Sequence, residues 1–473
     1  MASRLPTVVV ASGALLLAAC ALNDPPKAGE IKSESMAKVD VPAAWKAVPP
    51  VAGIVPDNWL ATFQDDPLTA VVTEAIASNP DIRVGAARVE QSQLYAKLAG
   101  AKLYPAVDLI AKGGVKGGDS SALQGGWLLM SWELDVWGRV RYGRSAAAAD
   151  AMSAAADYEY ARQSLAALVA KSWFLATEAT LQADLARKTI ADSQALVRLA
   201  ESRAQVGVGN DEDIYVARAS VATYQDALRQ IELARENAIR ALELLVGHYP
   251  AAAALVDTRL PSQPPPVPTG LPSELLERRP DVIAAERRVA AAFNRVGEAK
   301  AARLPAIALT AGVSGISSDL VVLKGHDNPV WSLGANLLAP IFHGGALKTN
   351  VEIKTAAQKQ AIAEYASIGL RAFGEVEAAL AGELAASDRE KILSQALADN
   401  QRAFDIVQTK FRVGSTDMRF VTQRELALNG TQAALIRTQA EQRVQRVNLH
   451  LALGGSFAVR PVNSTTPQLP IPK

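Results

Sequence analysis

Two long stretches of this chain, residues 106–249 and 341–460, contain no proline, although the whole chain contains 25. A proline inside a helix costs about 3 kcal/mol, so stretches without one can form very long helices. Residues 144–206 lack glycine as well, and one continuous helix over them would be about 95 Å long. Because a globular domain of this size is narrower than that, we expect the helix to lie along an elongated structure.

The composition indicates helices that pack closely. Hydrophobic residues make up 49% of the chain but aromatic residues only 5%, so alanine, valine and leucine carry most of the apolar content. Alanine-rich sequences favour helices. The formal net charge is +1, and it gives no electrostatic reason to expect nucleic acid as a partner.

The chain also carries an internal duplication of about 200 residues. Asn79-Pro80-Asp81 recurs as Arg279-Pro280-Asp281, at an offset of 200. Val206-Gly207 recurs as Val413-Gly414, at an offset of 207, so the second copy is longer by about seven residues. Each copy is as long as a domain, which is too long for a solenoid repeat.

These repeats and the proline-rich stretches predict six segments. They are a signal peptide 1–19, a lipidated extended segment 20–58, a first repeat 59–250, a proline-rich linker 251–272, a second repeat 273–455 and a C-terminal tail 456–473. Each repeat is expected to begin with a helix of about 30 residues, over 67–102 and 271–303, that stops just before a proline.

The N-terminus has the pattern of a secretory signal that ends at a lipid-attachment cysteine. Arg4 precedes a short apolar run over residues 8–19, and Cys20, the only cysteine of the chain, follows directly. This arrangement resembles the bacterial lipobox, in which that cysteine is lipidated and becomes the first residue. The alternative is an incidental or buried cysteine in a longer signal. Ala21 stands where an aspartate usually retains a lipoprotein in the inner membrane, so the outer membrane is favoured.

Each repeat then contains two predicted strands, about 106–117 and 126–137 in the first and 305–316 and 329–341 in the second. Apolar residues alternate with mostly polar ones over about ten residues, the pattern of strands in a membrane β-barrel. The alternative is an amphipathic hairpin lying on a soluble core. The residues predicted to face lipid are Leu128, Met130, Trp132, Leu134, Trp331 and Leu333.

The number of strands predicts an oligomer. The smallest membrane barrels have about eight strands, so four strands per chain cannot close one. No stretch after residue 20 approaches 18 uninterrupted apolar residues, and a membrane-spanning helix is therefore not expected. If the strands cross a bilayer, several chains must share one barrel.

The last helix of each repeat shows the seven-residue spacing of coiled-coil packing. A second stripe in the last helix, about 140° around from the first, predicts a neighbour on each side, as for a stave in a cylinder. The alternative is an ordinary helix of a four-helix bundle with a broad apolar face. The ladders are Val421, Leu428, Leu435, Gln442 and Leu449, then Ile214, Val221, Leu228, Arg235 and Leu242; the second stripe is Leu426, Ala433, Ala440 and Val447.

Motifs for catalysis or metal binding are missing from the sequence. Its four histidines have no metal-ligand spacing such as HExxH, and there is no Walker loop and no GxSxG. Residues 211–213 are all acidic, and a helix N-terminus explains them more simply than acid–base chemistry does. We therefore expect no enzyme, no metal and no cofactor other than the lipid.

Several motifs together resemble one family. The most specific is Trp-Glu-Leu-Asp-Val-Trp-Gly-Arg at 132–139; the lipobox, the Asn-Pro-Asp and Arg-Pro-Asp helix starts and the two Val-Gly turns accompany it. The chain resembles the outer membrane factors of tripartite efflux systems, the TolC and OprM family, in their NodT-like lipoprotein branch. The resemblance covers nearly the whole sequence.

This resemblance implies a mainly α-helical homotrimer with a membrane β-barrel of twelve strands and a periplasmic α-barrel of coiled-coil helices. Cys20 would carry S-diacylglycerol and an N-acyl chain such as palmitate. The implied location is the outer membrane of a Gram-negative bacterium, with a large periplasmic part. The implied partners are a periplasmic adaptor (membrane fusion protein), an inner-membrane transporter of the RND type, and outer membrane lipid.

The resemblance also assigns the Val-Gly turns to the periplasmic tip, where the channel meets the adaptor and closes. The residues carried over to the tip are Val206, Gly207, Gly209, Val413 and Gly414. The gate candidates are Asp211, Asp213, Asp417 and Arg419. The chain departs from the family at Phe420 and Gln423, where some relatives carry two acids.

The predicted function is that of a passive outer-membrane channel for small molecules or drugs, driven by an inner-membrane pump. The alternatives are the exit duct of a type I protein secretion system and a non-conducting structural lipoprotein of the envelope; an enzyme ranks third. The cargo, the pump and the adaptor are not determined by the sequence.

Overall fold

The computed structural model describes residues 23–37, 40–47, 53, 55, 57–112, 124–254, 256–270, 272–317 and 330–458. The predicted signal peptide, Cys20 and most of the predicted tail lie outside the described residues. The elements are α1 (Ala28–Ser35), a 3-10 helix (Trp59–Phe63), α2 (Asp66–Ser78), α3 (Pro80–Ala101), β1 (Ala106–Lys112), β2 (Gln124–Leu134), α4 (Arg139–Gln205), α5 (Asp211–Val246), α6 (Pro272–Arg278), α7 (Pro280–Ala301), β3 (Ala306–Ser317), β4 (Val330–Leu338), α8 (Ala346–Arg412) and α9 (Met418–Ala452).

The chain divides into two compact units. The first, here called the sheet unit, consists of residues 1–40, 86–157 and 281–368 and contains all four strands. The second, the helical unit, consists of residues 41–85, 158–280 and 369–473. Each unit contains residues of both repeats.

The long helices expected from the missing prolines are confirmed. Helices α4 and α8 are each 67 residues long, and α5 and α9 have 36 and 35 residues. Of the ladder predicted in α9, Val421, Leu428, Gln442 and Leu449 are buried. The matching ladder in α5 is partly buried, and Leu242 is fully so.

The single helix expected at the start of each repeat is wrong. Each is broken in two, at Asn79-Pro80 and at Arg279-Pro280. Proline has no N–H to donate and forces the residue before it out of the helical region, and Asn79 has φ −60° and ψ 127°. The Asn79 Oδ1 then accepts hydrogen bonds from the backbone N–H groups of Asp81 (2.8 Å) and Ile82 (3.2 Å), which begins α3.

The residue before each of these prolines also donates a hydrogen bond to the end of the last helix of its repeat. Asn79 Nδ2 donates to the carbonyl of Leu245 at 2.8 Å, and Arg279 Nη1 donates to the carbonyl of Ala452 at 3.1 Å. Leu245 and Ala452 are equivalent positions at the offset of 207. In both repeats, the residue before the proline therefore donates to the equivalent backbone carbonyl, with an asparagine in the first repeat and an arginine in the second.

The proline-rich stretch between the repeats is bound to α9. Arg443 donates to the carbonyl of Pro261 at 3.0 and 2.7 Å, and Arg446 donates to the carbonyl of Pro264 at 2.9 Å. Proline has no backbone N–H, but its carbonyl oxygen can accept a hydrogen bond. Here these carbonyls accept from two arginine side chains that are almost fully buried.

The four strands form one antiparallel sheet in the order β1-β2-β3-β4. The strand predicted over 126–137 ends earlier, at Leu134, because Asp135 caps a helix instead. Its carboxylate accepts the backbone N–H of Val140 (2.8 Å) and Arg141 (2.9 Å) at the start of α4. Strand β4 likewise ends at Leu338, two residues before Pro340. Within the described residues, no helix is both long and apolar enough to cross a membrane.

Candidate functional site: the four-stranded sheet and the paired turns

The strand registers collect apolar side chains on one face of the sheet. Residues paired across antiparallel strands project to the same side. One row across all four strands is Leu109, Leu128, Val313 and Trp331, and the next is Val107, Met130, Ala311 and Leu333. Trp132 and Leu134 continue this face with Leu309 and Ile307 as their partners. All six residues predicted to face lipid therefore lie on one apolar face.

The opposite face mixes polar and apolar residues. Its rows include Asp108, Leu129, Gly312 and Ser332, then Ala106, Ser131, Thr310 and Gly334, then Glu133, Ala308 and Asn336. In the described residues, no strand pairs with the outer edge of β1 or of β4. The sheet thus has two different faces and two open edges.

Tryptophans are fixed at the end of the sheet where the strands meet the helices. Trp132 Nε1 donates to the carbonyl of Leu103 at 2.9 Å, and Trp137 Nε1 donates to the carbonyl of Pro305 at 2.8 Å. A further tryptophan, Trp331, lies on the apolar face toward the other end and is 76% exposed. Aromatic residues at both ends of an apolar band are typical of strands that cross a bilayer.

The two Val-Gly turns have the same backbone structure. Gly207 and Gly414 have φ of 76° and 82°, in the left-handed region that favours glycine. The backbone N–H of Val208 donates to the carbonyl of Arg203 at 3.0 Å, and that of Ser415 to Lys410 at 2.9 Å. These are the hydrogen bonds of a Schellman motif, which ends a helix by reusing its last free carbonyls.

The predicted tip residues lie on these turns. Val206 and Val413 are 70% and 73% exposed, and Phe420 nearby is 56% exposed. Gly209 lies against the end of α4, where a Cβ atom would come within 2.8 Å of the Ala204 nitrogen. The turns therefore present apolar side chains to the surroundings of the chain.

Asp213 connects the two repeats. Its side chain is 8% exposed, and Oδ1 accepts the backbone N–H of Met418, the first residue of α9, at 2.9 Å. Asp417 has the backbone conformation of an N-cap but makes no capping bond with its side chain. The first repeat thus supplies the cap for a helix of the second.

The other gate candidates are less closely bound. Arg419 lies 3.7 Å from Glu212, both side chains being about two-thirds exposed, and such pairs contribute little. Asp211 and Asp417 are exposed. Of the four candidates, the structure places Asp213 and Arg419 in contact with the other repeat.

Sequence reasoning missed Arg203 and Phe411. Arg203 donates to the carbonyl of Phe411 and, at 3.1 Å, to that of Val208, and its guanidinium carbon lies 4.3 Å from the centre of the Phe411 ring. Phe411 is fully buried. Their repeat counterparts are Lys410 and Ala204, so the duplication gave no signal for this pair.

The comparisons with known proteins decide the family. The family model of the outer membrane efflux proteins matches residues 71–248 and 271–455. The chain belongs to the outer membrane efflux protein family. The fold class, the efflux function and the outer-membrane location predicted from the sequence are thereby confirmed at the level of the family.

Individual relatives of this efflux protein support the assignment. It is 30% identical over 410 residues to the cation efflux system protein CusC of Escherichia coli O6:H1, covering 85% of this chain and 88% of that one. It is 29% identical to the pyoverdine export outer membrane protein OpmQ of Pseudomonas putida, over 94% and 96% of the two chains. The solved outer-membrane channel OprN superposes with a TM-score of 0.79 at 25% identity, over 89% and 98% of the chains.

The family and these relatives are channel proteins. In the part of this efflux protein that the structure describes, there is no group of three or more His, Cys, Asp and Glu side chains that could hold a metal ion.

Proposed function

We propose that this protein is the passive exit channel of a tripartite efflux system, assembled as a homotrimer. The observation that carries the proposal is a sheet with one apolar face and, in the described residues, two open edges, in a chain whose long helices end at paired turns. An apolar face can contact lipid, and open edges can pair with further strands. Three copies would then close one sheet of twelve strands.

The asymmetry of the repeats supports assembly with further copies. Helix α7 buries apolar residues along most of its length, whereas Ile82 alone is buried in α3 among the described residues. The apolar residues that α3 exposes are Leu94, Tyr95 and Leu98, at 53%, 59% and 62%, and their counterparts in α7 are Asn294, Arg295 and Glu298. An exposed apolar face of this kind marks an interaction surface, and we assign it to a second copy of the chain.

The exposed valines of the paired turns are the proposed contact with a periplasmic adaptor, which would link the channel to an inner-membrane transporter of the RND type. The relatives named above export cations and pyoverdine, so the family does not fix one cargo, and we propose small molecules. No catalysis is proposed. The alternatives are the exit duct of a type I secretion system and a non-conducting lipoprotein.

Lipid attachment at Cys20 remains a prediction, and one contact bears on where the chain that follows Cys20 lies. The backbone N–H of Asn23, three residues later, donates to the Tyr142 hydroxyl at 3.0 Å. Tyr142 lies in the first turn of α4, just beyond the end of β2. A lipid on Cys20 would thus enter the membrane near the helix end of the sheet. Replacement by serine is expected to remove the acyl mass of the mature protein.

Conductance of the purified protein in a planar lipid bilayer tests the channel. Wild type is expected to conduct rarely, because its turns are held together, and Asp213→Ala and Arg419→Glu are expected to conduct more often. Arg229→Glu, at an 85% exposed arginine of α5, is the control for the change of charge. If none of these proteins conducts, the chain is not a channel and the structural lipoprotein is favoured.

A further inference from the structure

Helix α9 carries a carboxylate on the face that it buries. Met418, Val421, Glu425 and Leu428 follow each other at helical spacing on one face, and they are 0%, 0%, 3% and 8% exposed. Three of the four are apolar. A buried carboxylate is costly unless a cation or several donors compensate it, so Glu425 needs an explanation.

The surroundings of Glu425 do not compensate a negative charge. Ser193 on α4 donates its hydroxyl to Oε1 at 2.7 Å, and Oε2 has no hydrogen-bond partner among the described residues. Burial raises the pKa of Glu425 to about 7; the Ser193 hydrogen bond opposes this rise and Asp192 adds to it. Asp192 on α4 is the charged group acting on Glu425, and it repels the ionised form.

Among the described residues, no cation is a cause of the pKa shift of Glu425. Helix α5 contributes Tyr224, whose pKa burial raises to about 12, with a smaller contribution from Glu425. Helix α8 meets α9 through Asn400, which donates to Thr431 at 2.9 Å, and through Phe404 and Val407 nearer the turns. Tyr224 is thus neutral in the physiological range.

Glu425 lies one helical turn after Val421, which belongs to an apolar cluster near the paired turns. Leu196 and Ala200 of α4, Ala217 of α5, Phe411 of α8 and Met418 and Val421 of α9 form that cluster. Met418 is also the residue whose N–H Asp213 holds. One buried face of α9 therefore runs from Glu425 to the residues that pack at the turns.

We propose that Glu425 is a proton-controlled switch in the packing of α9 against α4 and α5: the neutral acid allows the packed arrangement, and the carboxylate loosens it. Its consequence for the gate rests on the channel function proposed above. Protonation of Glu425 removes the buried charge from the packed arrangement, and a neutral carboxyl without a partner costs less than an unpaired carboxylate. Ionisation requires that the carboxylate reach water, and loosening of α9 provides it.

The direction with pH follows from linkage. A loosened state would give Glu425 an ordinary pKa of about 4.3, below that of the packed state. The packed state then binds more protons between these two values, so it is most populated at low pH and loses population as pH rises through about 7. We expect the opening equilibrium to change by about 10- to 100-fold between pH 5 and pH 8.

Amide hydrogen exchange of the purified full-length protein, corrected for the intrinsic effect of pH, tests the switch. Peptides covering residues 418–430 are expected to lose protection by tenfold or more from pH 5 to pH 8. Glu425→Gln, which mimics the neutral acid, should hold the protection of pH 5 throughout. Glu441→Gln removes a carboxylate of α9 that is 41% exposed and paired with Arg389, and it should behave as wild type.

A second variant keeps the test decisive if Glu425→Gln does not fold. Ser193→Ala removes the one donor to Glu425, so the midpoint of the pH transition should move upward. Protection that is independent of pH in wild type, pH dependence that persists in Glu425→Gln, or an unmoved midpoint in Ser193→Ala would overturn the proposal. Hydrogen exchange measures the packing of α9 and not conduction. A pH transition in exchange, together with no conductance in the bilayer, would therefore contradict the proposed channel function and not the Glu425 switch.

Discussion

The carboxylate of Asp213 belongs to α5 but caps α9. The first N–H groups of a helix have no partner within it, and a side-chain acceptor there typically contributes about 1 kcal/mol. Asn210 serves this role for α5, accepting the N–H of Asp213 at 2.8 Å. The two capping bonds follow one another and fix the starts of α5 and α9 together.

Replacing Asp213 by alanine is expected to destabilise the first turn of α9 by about 0.5–2 kcal/mol, because the N–H of Met418 loses its acceptor. Hydrogen exchange in residues 418–421 should become faster. Asp213→Asn keeps an acceptor and should lose less. Asp211→Ala, at an exposed acid of the same turn, is the control, and an equal effect there would show that charge and not capping matters.

At the scale of elements, α7 lies close enough to α4 that one position must be glycine. A Cβ atom on Gly297 would lie 2.6 Å from the Tyr142 ring. Small residues also form the neighbouring contact, where Ala149 packs with Ala290 and Ala291. Alanine-rich composition thus produces close helix packing in the sheet unit, as expected from the sequence.

Gly297→Ala is therefore expected to destabilise the protein by about 1–3 kcal/mol, because the Tyr142 ring must move in a packed region. Thermal unfolding in detergent measures this change. Gly374→Ala is the matched control: that glycine lies in α8 with nothing within 4 Å of an added Cβ. There the substitution should stabilise by about 0.5–1 kcal/mol, and a similar loss at both sites would contradict close packing as the cause.

At the scale of the whole molecule, the open edges and exposed apolar residues of the chain support the proposed homotrimer. In the described residues its sheet has two open edges, and α3 exposes Leu94, Tyr95 and Leu98, whereas the matching positions of α7 carry the polar residues Asn294, Arg295 and Glu298. Apolar surface of this kind is buried when copies associate. The two repeats therefore differ on this face, which is apolar in α3 and polar in α7, and the apolar one is the proposed contact with a second copy.

Leu94→Asp combined with Leu98→Asp is expected to weaken the proposed trimer, because two charges would replace apolar side chains at the proposed interface. The measurement is the mass of the detergent-solubilised protein by light scattering, with a shift from trimer toward monomer. Gln93→Asp places a charge at an exposed polar position of the same helix and should leave the mass unchanged. A stable trimer in the double variant would exclude this face of α3 from the interface.

The sequence by itself determined the features that depend on neighbouring residues. Missing prolines predicted the 67-residue helices, alternation predicted the strands, and the duplication predicted two equivalent glycine turns at Gly207 and Gly414. Periodicity also identified the buried ladder of α9. These properties are local, because propensity and side-chain direction depend on a few positions along the chain.

The tertiary structure decided which distant residues meet. Asp135 reads as part of an alternating strand but caps α4, and Asp213 reads as an acid of its own helix start but caps a helix 205 residues away. Glutamate is usually exposed at the surface, but Glu425 is buried where α9 contacts α4. Capping and burial depend on the packing of helices from both repeats, and no pattern along one helix records which partner will cover it.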